Sequence, residues 1–277
     1  FVAFLFIPVV AGNVFMEDSI PNVPEITERQ SMWTQDYMIF DPCNTNKAGN
    51  RTINCSQKKR RENSKTGEYE IYVRDDRVNV TCDMDSDNGG WTVIQRQSKD
   101  ETNQSFFDRS FEDYVRGFGT AGGSFWIGLE HLHTLTSYPN NQQALRIELK
   151  RSDGQKKETV VQYNKFHVGS AKEKYKLTID EFDHNISTGY DALSHHNSSD
   201  FSVKKYKNGE TDQVNCFNKT LTGGWWFTKC STTNLNGQKL NISLPSGPRP
   251  RGITWKEIKD MSSDSYVFEK VEMKIRD

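Results

Sequence analysis

The chain lacks an excess of charge of either sign, and it lacks the motifs of a metal site. Lys and Arg number 36 against 37 Asp and Glu, a formal net charge of −1, so no overall field favours DNA, RNA or an anionic membrane. No Cys-x-x-Cys pair occurs, and no histidine lies three to five residues from a cysteine. The sequence therefore predicts no nucleic-acid partner, no membrane partner and no zinc site.

Enzyme motifs are missing as well. The histidine clusters Glu130-His131-Leu132-His133 and His195-His196 lack the His-x-x-x-His spacing of zinc enzymes, and no GxSxG or Walker motif accompanies them. His131 and His133 are interpreted as helix-surface or packing residues. We therefore expect a protein that is not an enzyme.

The apolar stretch at residues 1–12, "FVAFLFIPVVAG", is shorter than the roughly 20 residues that cross a bilayer. It ends in Val-Ala-Gly, as the cleavage region of a secretory signal does. We interpret 1–12 as a partial signal peptide, and a buried N-terminal strand or helix is the alternative. Residues 13–50 are polar and contain neither a heptad nor a Gly-x-y repeat, so they predict an irregular extension.

Two abundant features indicate an oxidising, extracellular compartment. The first is a set of eight Asn-x-Ser/Thr sequons, at Asn50, Asn54, Asn79, Asn103, Asn185, Asn197, Asn218 and Asn241. The second is a set of five cysteines, for which the default in that compartment is two disulfides and one cysteine left over. We predict a secreted glycoprotein.

Hydrophobic periodicity predicts an antiparallel β-protein with few helices. Alternation predicts strands at 68–73, 78–84, 91–97 and 145–149, strand rhythm around 160–162 and 175–179, and a closing strand in 266–277. Helical spacing predicts helices over 106–117 and 129–135, the first with an aromatic stripe in the core. Between about 183 and 262 periodicity nearly disappears, which is typical of functional or disordered loops.

Six separated segments resemble, in order and spacing, motifs of the fibrinogen C-terminal domain: "TGEYEIY", "VTCDMDSDNGGWTVIQRQ", "FGTAGGSFWIGLEHLHTLT", "LRIEL", "NC" followed by "GGWWFTKCSTTNLNG", and "EMKIRD". Within that family the sequence is similar to secreted arthropod lectins of the ficolin, tachylectin and ixoderin type. The resemblance implies an α+β domain over 51–277, with a small N-terminal subdomain, a central antiparallel sheet with flanking helices, and a loop-rich C-terminal binding region.

The resemblance also implies disulfides and a ligand site. Cys55 should pair with Cys82, and Cys216 with Cys230, which leaves Cys43 either to link two chains in a dimer or to remain a capped or free thiol. The loop between Cys216 and Cys230 forms the family's ligand pocket, whose entering peptide bond is cis, here Lys229–Cys230. The candidate ligand-binding residues are Asn215, Trp225, Trp226, Lys229, Cys230, Ser231 and Lys239. The alternative is that the tryptophans and the disulfide only hold a loop together.

The sequence departs from the family at the calcium loop and in the pocket. Lys205 and Lys207 stand where the family has aspartates after its Phe-Ser-Thr motif, so we predict that the calcium site is lost and that no cofactor is bound. Asn208, Glu210 and Asp212 offer oxygens only in a shifted register. Ser231 and Lys239 replace the pocket's usual His and Tyr.

Two functions remain in competition. The first is a lectin-like recognition protein of innate immunity that binds glycans or acetylated or acidic groups on microbes or host surfaces. The second is a secreted ligand or salivary effector that binds a protein receptor through the same domain. A basic patch would favour anionic ligands, and its members would be Lys204, Lys205, Lys207, Lys229, Lys239, Arg249 and Arg251. The alternative for each lysine is a solvated surface position.

Overall fold

The computed structural model describes residues 51–62, 64–138, 141–152, 158–204, 221–228, 231–240, 252–257, 263 and 266–277. The compact unit to which nearly all of them belong spans Thr52–Asp277. The predicted signal peptide (1–12), the predicted extension (13–50) and Cys43 lie outside the described residues. Within the described ranges, no helix is long and apolar enough to cross a membrane.

The described residues contain thirteen strands and three α-helices. The helices are α1 (Cys55–Arg61), α2 (Phe111–Arg116) and α3 (Leu129–Thr136). The strands are β1 (Gly67–Val73), β2 (Asp76–Asp83), β3 (Trp91–Gln97), β4 (Phe118–Gly119), β5 (Phe125–Trp126), β6 (Gln143–Arg151), β7 (Thr159–Val168), β8 (Leu177–Phe182), β9 (Ser202–Lys204), β10 (Gly223–Trp225), β11 (Thr233–Asn234), β12 (Thr254–Trp255) and β13 (Phe268–Arg276).

A central antiparallel sheet carries the domain. Its main path runs β1-β2-β3-β13-β6-β7-β8, and the short strands β4 and β5 attach to it through β3. The last strand, β13, lies in the middle, between β3 and β6. The prediction of a central antiparallel sheet closed by the C-terminal segment is confirmed. The long irregular stretch before β13 is therefore anchored at both ends by sheet strands.

The predicted helix over 106–117 is wrong in its first half. α2 begins only at Phe111, because the Ser110 side chain accepts a hydrogen bond from the Asp113 amide and the Asp113 carboxylate accepts one from the Ser110 amide. This capping box defines a helix start. Phe107 lies before it in a turn, and the Tyr114 hydroxyl donates to its carbonyl oxygen at 2.7 Å. Phe107 and Tyr114 are buried as predicted, whereas Phe111 is partly exposed.

The predicted strand rhythm around Tyr175 is also wrong in part. Tyr175 is a buried turn residue with a φ of 51°, and β8 begins two residues later at Leu177. A positive φ belongs to the left-handed region, which does not occur within a regular strand. The turn places the Tyr175 carbonyl oxygen beside the loop region described below.

The disulfide Cys55–Cys82 is present, as predicted, with Cα atoms 5.4 Å apart. It attaches α1 to β2. The preceding residue, Asn54, is the N-cap of α1, and its side-chain oxygen accepts a hydrogen bond from the Gln57 amide at 2.8 Å. Asn54 is only 6% exposed, so its side chain serves the helix cap and not the surface.

Candidate ligand-binding site

The candidate site is the loop region formed by four described segments, 192–204, 221–228, 231–240 and 252–257. It contains only four short strands, paired β9 with β10 and β11 with β12. Regular strand pairing therefore accounts for little of its order, and side chains must hold the segments in place.

The adjacent tryptophans Trp225 and Trp226 form the base of the loop region. Both are fully buried, and their ring centroids are 5.3 Å apart. The Trp226 indole N–H donates to the Tyr175 carbonyl oxygen at 2.8 Å, and its ring packs edge-on against Phe201. The predicted role as a floor fits this geometry, but neither ring offers a surface to a ligand.

His196 joins three segments of the loop region. Its Nδ1 donates to the Trp226 carbonyl oxygen at 2.7 Å, and its Nε2 accepts from the amides of Thr232 and Thr233, both at 3.1 Å. These contacts require the neutral ring with its proton on Nδ1. Burial, with a smaller contribution from His195, lowers the pKa of His196 from 6.5 to about 4. His196 is therefore a neutral connector at physiological pH.

The "NLNG" segment, 234–237, is fixed directly to the central sheet. The side-chain amides of Gln95 and Gln97, both on β3, donate to the Leu235 carbonyl oxygen at 3.1 and 3.0 Å. Gln97 also donates to the Gly237 carbonyl oxygen at 2.8 Å, and Asn236 donates to that of Gly224 at 2.8 Å. All three side chains are buried. The sheet thus positions the loop by hydrogen bonds that satisfy its buried carbonyl groups.

Gly223 allows the close approach on which this arrangement depends. Its φ is +75°, and a Cβ atom there would lie 2.1 Å from the Asn236 carbonyl oxygen. Only glycine adopts this backbone conformation at low cost.

Sequence reasoning missed His196, Gln95 and Gln97. His196 was considered only as a metal ligand, and no linear spacing connects it to Trp226 or Thr232. The one local signal is that Gln95 and Gln97 lie on the same face of β3 as Val93, where apolar residues are usual.

Two predicted ligand residues are engaged within the protein. The Lys239 ammonium donates to the carbonyl oxygens of Ser98, Lys99 and Glu101 at 2.5, 2.6 and 3.4 Å, and the residue is 6% exposed. The Ser231 hydroxyl accepts from the Thr228 amide at 3.2 Å. The expectation that Lys239 belongs to a basic surface patch is therefore wrong, because its charge is buried and its three donors have acceptors.

Several predicted positions lie outside the described residues. They are Asn215, Cys216, Lys229 and Cys230 of the ligand loop, with the second disulfide and the cis bond; Lys205, Lys207, Asn208, Glu210 and Asp212 of the calcium loop; Arg249 and Arg251; and the sequons at Asn50, Asn218 and Asn241. The statements about them remain predictions. Of the basic patch, Lys204 is described, half-buried with its ammonium 5.2 Å from the centre of the Phe227 ring.

The sequons divide by exposure. Asn79, Asn103, Asn185 and Asn197 are exposed, so an attached glycan would extend into solvent. Asn54 is buried in the α1 cap. The prediction of a glycan at Asn54 conflicts with this placement, because the side-chain nitrogen that would carry the sugar belongs to a residue that is only 6% exposed.

His131 and His133 have structural contacts, in agreement with their interpretation as packing residues. The Nδ1 of His131 donates to the Ile127 carbonyl oxygen, and that of His133 donates to the Val168 carbonyl oxygen, both at 2.8 Å. Among the described residues, no group of three or more His, Cys, Asp or Glu side chains is arranged to hold a metal ion.

The antiparallel sheet and the side-chain-fixed loop region that it carries have the architecture of a fibrinogen-type globular domain. The family model for the C-terminal globular domain of the fibrinogen beta and gamma chains matches residues 51–277, and the protein belongs to this family. The α+β fold class with its fibrinogen-like globe is thereby confirmed.

Relatives share this domain at moderate identity. Human angiopoietin-1 is 35% identical over 218 residues, 77% of this chain and 40% of that protein. Human angiopoietin-related protein 7 is 30% identical over 239 residues (84% and 64%), and ryncolin-4 of Cerberus rynchops is 35% identical over 225 residues (80% and 60%). The matched part is thus less than two thirds of each of these relatives.

Solved structures agree with the fold. The fibrinogen-like globe domain of human ANGPTL6 superposes with a TM-score of 0.67 at 27% identity, covering 82% of this chain and 97% of that domain. Lamprey fibrin D-dimer, solved in complex with the peptide ligand Gly-His-Arg-Pro-amide, has a TM-score of 0.62 at 22% identity, covering 91% and 83%. At that identity the second comparison shows the fold alone.

Proposed function

We propose that this protein is a secreted, non-enzymatic recognition protein whose loop region binds glycans or acetylated or acidic groups on microbial or host surfaces. The observation that carries the proposal is the construction of the loop region. Its described segments form only two short ladders, yet buried side chains such as His196, Gln95 and Gln97 hold them in one arrangement. A rigid surface made of irregular backbone lowers the ordering cost of binding.

Secretion is proposed from the covalent chemistry. The Cys55–Cys82 disulfide suits an oxidising compartment. Four of the eight sequons have asparagines that the structure places at the surface, where glycosylation would find them.

A protein partner is the second candidate, and one observation favours it. Trp225 and Trp226 are fully buried and the Ser231 hydroxyl contacts Thr228 of the neighbouring segment, so these residues form no exposed aromatic slot for an acetyl methyl group. A described surface on which these tryptophans are covered suits a protein face better than a small sugar. We place innate-immune glycan recognition first and a protein receptor second.

The test compares ligand classes and charge. The secreted protein is applied to an array of neutral acetylated, sialylated and sulfated glycans, and in parallel to cell-surface proteins stripped of glycans. A Lys205→Ala/Lys207→Ala variant is compared with a Lys59→Ala/Lys65→Ala control, in which two exposed lysines on the N-terminal side are removed. Lys239 is left intact because its ammonium is structural.

We expect binding to anionic glycans that weakens with salt, since exposed ion pairs are screened, and that falls only in the Lys205/Lys207 variant. Each lysine contributes about 0.2–1 kcal/mol, so the pair should lower affinity by roughly twofold to thirtyfold. Saturable binding to deglycosylated protein without glycan binding would transfer the assignment to the second candidate. Salt-insensitive binding to N-acetylglucosamine in both variants would contradict the acidic preference.

A further inference from the structure

Lys239 connects two loops that are far apart in sequence. Besides the three contacts of its ammonium, its backbone amide donates to the Gln104 carbonyl oxygen at 3.1 Å. The neighbouring Gln238 side-chain amide donates to the Ser105 hydroxyl at 3.2 Å. Residues 98–105, termed the wall loop here, are thus attached along their length to the 231–240 segment of the loop region.

The carbonyl oxygens that surround the ammonium need a positive charge. Those of Ser98 and Lys99 both lie within 2.6 Å of Lys239 Nζ, and the Glu101 oxygen lies at 3.4 Å. Carbonyl dipoles that converge on one point repel one another unless a positive charge lies between them. Hydrogen bonds from a charged donor are stronger than those between neutral groups. The ammonium therefore has the role that a bound cation has in other carbonyl-lined loops.

We propose that Lys239 is a positioning residue, an internal cation that holds the wall loop as one side of the ligand-binding region. The claim that the wall loop takes part in ligand binding rests on the proposed function. The claim that Lys239 holds the wall loop rests on the geometry alone. The proposal assigns the wall loop, which lies more than a hundred residues before the predicted pocket, a part in ligand recognition.

The cage around the ammonium is accessible to small molecules. A cavity of about 560 Å³ adjoins it, lined by residues of the wall loop, by Lys239 and Leu240, and by the start of β13, including Glu269. In a Lys239→Ala variant the missing atoms are three methylenes and the ammonium, which correspond to n-propylammonium. The cavity provides a route by which this cation can reach the vacated carbonyl oxygens.

The experiment measures amide hydrogen exchange of the whole secreted protein by mass spectrometry, on peptides that cover 98–105 and 231–240. Lys239→Met keeps most of the aliphatic stem without the charge, and Lys239→Ala creates the space for rescue. Gln238→Ala is the matched control, because it removes one hydrogen bond between the same two segments and no cation. Each protein is measured with n-propylammonium chloride, with sodium chloride at equal concentration, and with n-propanol as the neutral probe.

We expect exchange in both peptides to accelerate by roughly tenfold or more in the two Lys239 variants, because charge-assisted hydrogen bonds are lost. Only n-propylammonium should restore slow exchange, and only in Lys239→Ala. Unchanged exchange in Lys239→Met, or restoration by n-propanol, would overturn the internal-cation role. If a Lys239 variant does not fold, refolding is attempted in each additive, and recovery that needs no cation counts equally against the proposal.

Ligand binding is measured separately on the best glycan or protein ligand of the wild type. Lys239→Met should lower its affinity by at least about tenfold, whereas Gln238→Ala should have a smaller effect. Loop opening without loss of affinity would refute the wall role but leave the internal cation intact. If the wild type binds nothing on the array, the proposed function fails, whereas the exchange result still decides whether Lys239 holds the wall loop.

Discussion

His196 should make the loop region sensitive to acid. Its Nε2 accepts from two backbone amides, and its Nδ1 donates to the Trp226 carbonyl oxygen. A proton on Nε2 would occupy the lone pair that both amides use, so the charged ring loses both bonds even where the Thr232 hydroxyl, 3.2 Å away, accepts from it. The pKa of His196 is lowered from 6.5 to about 4, chiefly by burial.

Proton binding to the unfolded protein makes the folded state less stable in acid. Above pH 6.5 the ring is neutral in both the folded and the unfolded protein, so its contacts contribute fully. Between pH 6.5 and about 4 the unfolded protein binds a proton that the folded protein does not, and stability falls. At about 1.4 kcal/mol per pH unit, this interval gives a loss of about 3 kcal/mol by pH 4.

The assay is urea unfolding of the wild type, His196→Gln and His195→Gln at several pH values from 7 to 4. His196→Gln should be less stable than wild type at pH 7, because some amides of the loop region lose their acceptor, and the difference should shrink by about 3 kcal/mol towards pH 4. His195, exposed and adjacent, is the matched control; because it makes only a minor contribution to the pKa of His196, its variant should stay close to the wild-type curve. Carboxyl groups contribute the same pH dependence to all three proteins, so they cancel in the difference between two curves. Parallel curves for wild type and His196→Gln would refute the reasoning.

Three further predictions concern other parts of the domain. Lys274→Met should destabilise the protein by about 3–5 kcal/mol in urea unfolding, because it removes the cation that pairs with the buried Asp83 carboxylate and one of the cations of Glu148 and Glu272. Lys150→Met, at a half-exposed ion pair, should change stability by less than about 1 kcal/mol, and equal effects would contradict the buried network. Glycopeptide mapping should find Asn54 without a sugar, because the residue is buried, and Asn54→Ala should cost about 1 kcal/mol through loss of the α1 cap; an occupied Asn54 would contradict its burial. Calcium chelation should leave Tm unchanged, since Lys205 and Lys207 replace carboxylates, and a rise of several degrees with calcium would mean that the site survives.

The main strands of the sheet could be located from sequence, because period-two alternation directly reports strands with one apolar face. The two-residue strands β4 and β5 are too short to show such alternation and are not among the predictions. The prediction for 91–97 matches β3, and the predicted closing strand contains β13. The helix over 106–117 is predicted too long because the aromatic spacing of Phe107, Phe111 and Tyr114 is helical although the backbone starts its helix at a cap. Aromatic residues in a preceding turn can occupy the same core as those in the helix.

The loop region could not be predicted beyond its burial of tryptophan. Its order depends on contacts between residues such as Gln95 and Leu235, which are 140 positions apart in the sequence. No propensity or periodicity reports such pairs. Lys239 illustrates the same difficulty, because a lysine in a polar stretch indicates a solvated surface whereas three carbonyl oxygens converge on its ammonium.

On the second face of the sheet, charged residues that alternate with apolar ones along a strand do not face solvent. On β13, Glu272 and Lys274 alternate with apolar residues, yet both are buried. Directly opposite on β6 they face like charges, Glu272 beside Glu148 and Lys274 beside Arg146, an arrangement that is unfavourable for isolated pairs.

Contacts with carboxylates that are not directly opposite Lys274 offset this repulsion between like charges. The Lys274 ammonium lies 2.5 Å from Asp83 on β2, 2.6 Å from Glu148 on β6 and 3.6 Å from Glu272 on its own strand. Burial raises the pKa of Asp83, but attraction to Lys274 outweighs it and holds that pKa well below its usual value. The other two carboxylates have further cations, Arg146 at 2.7 Å from Glu148 and Arg96 at 2.5 Å from Glu272, so a register that moved Lys274 would chiefly deprive Asp83 of its cation. The observed register lets one ammonium serve three carboxylates on three strands, so the charges and the apolar face select the same position of β13.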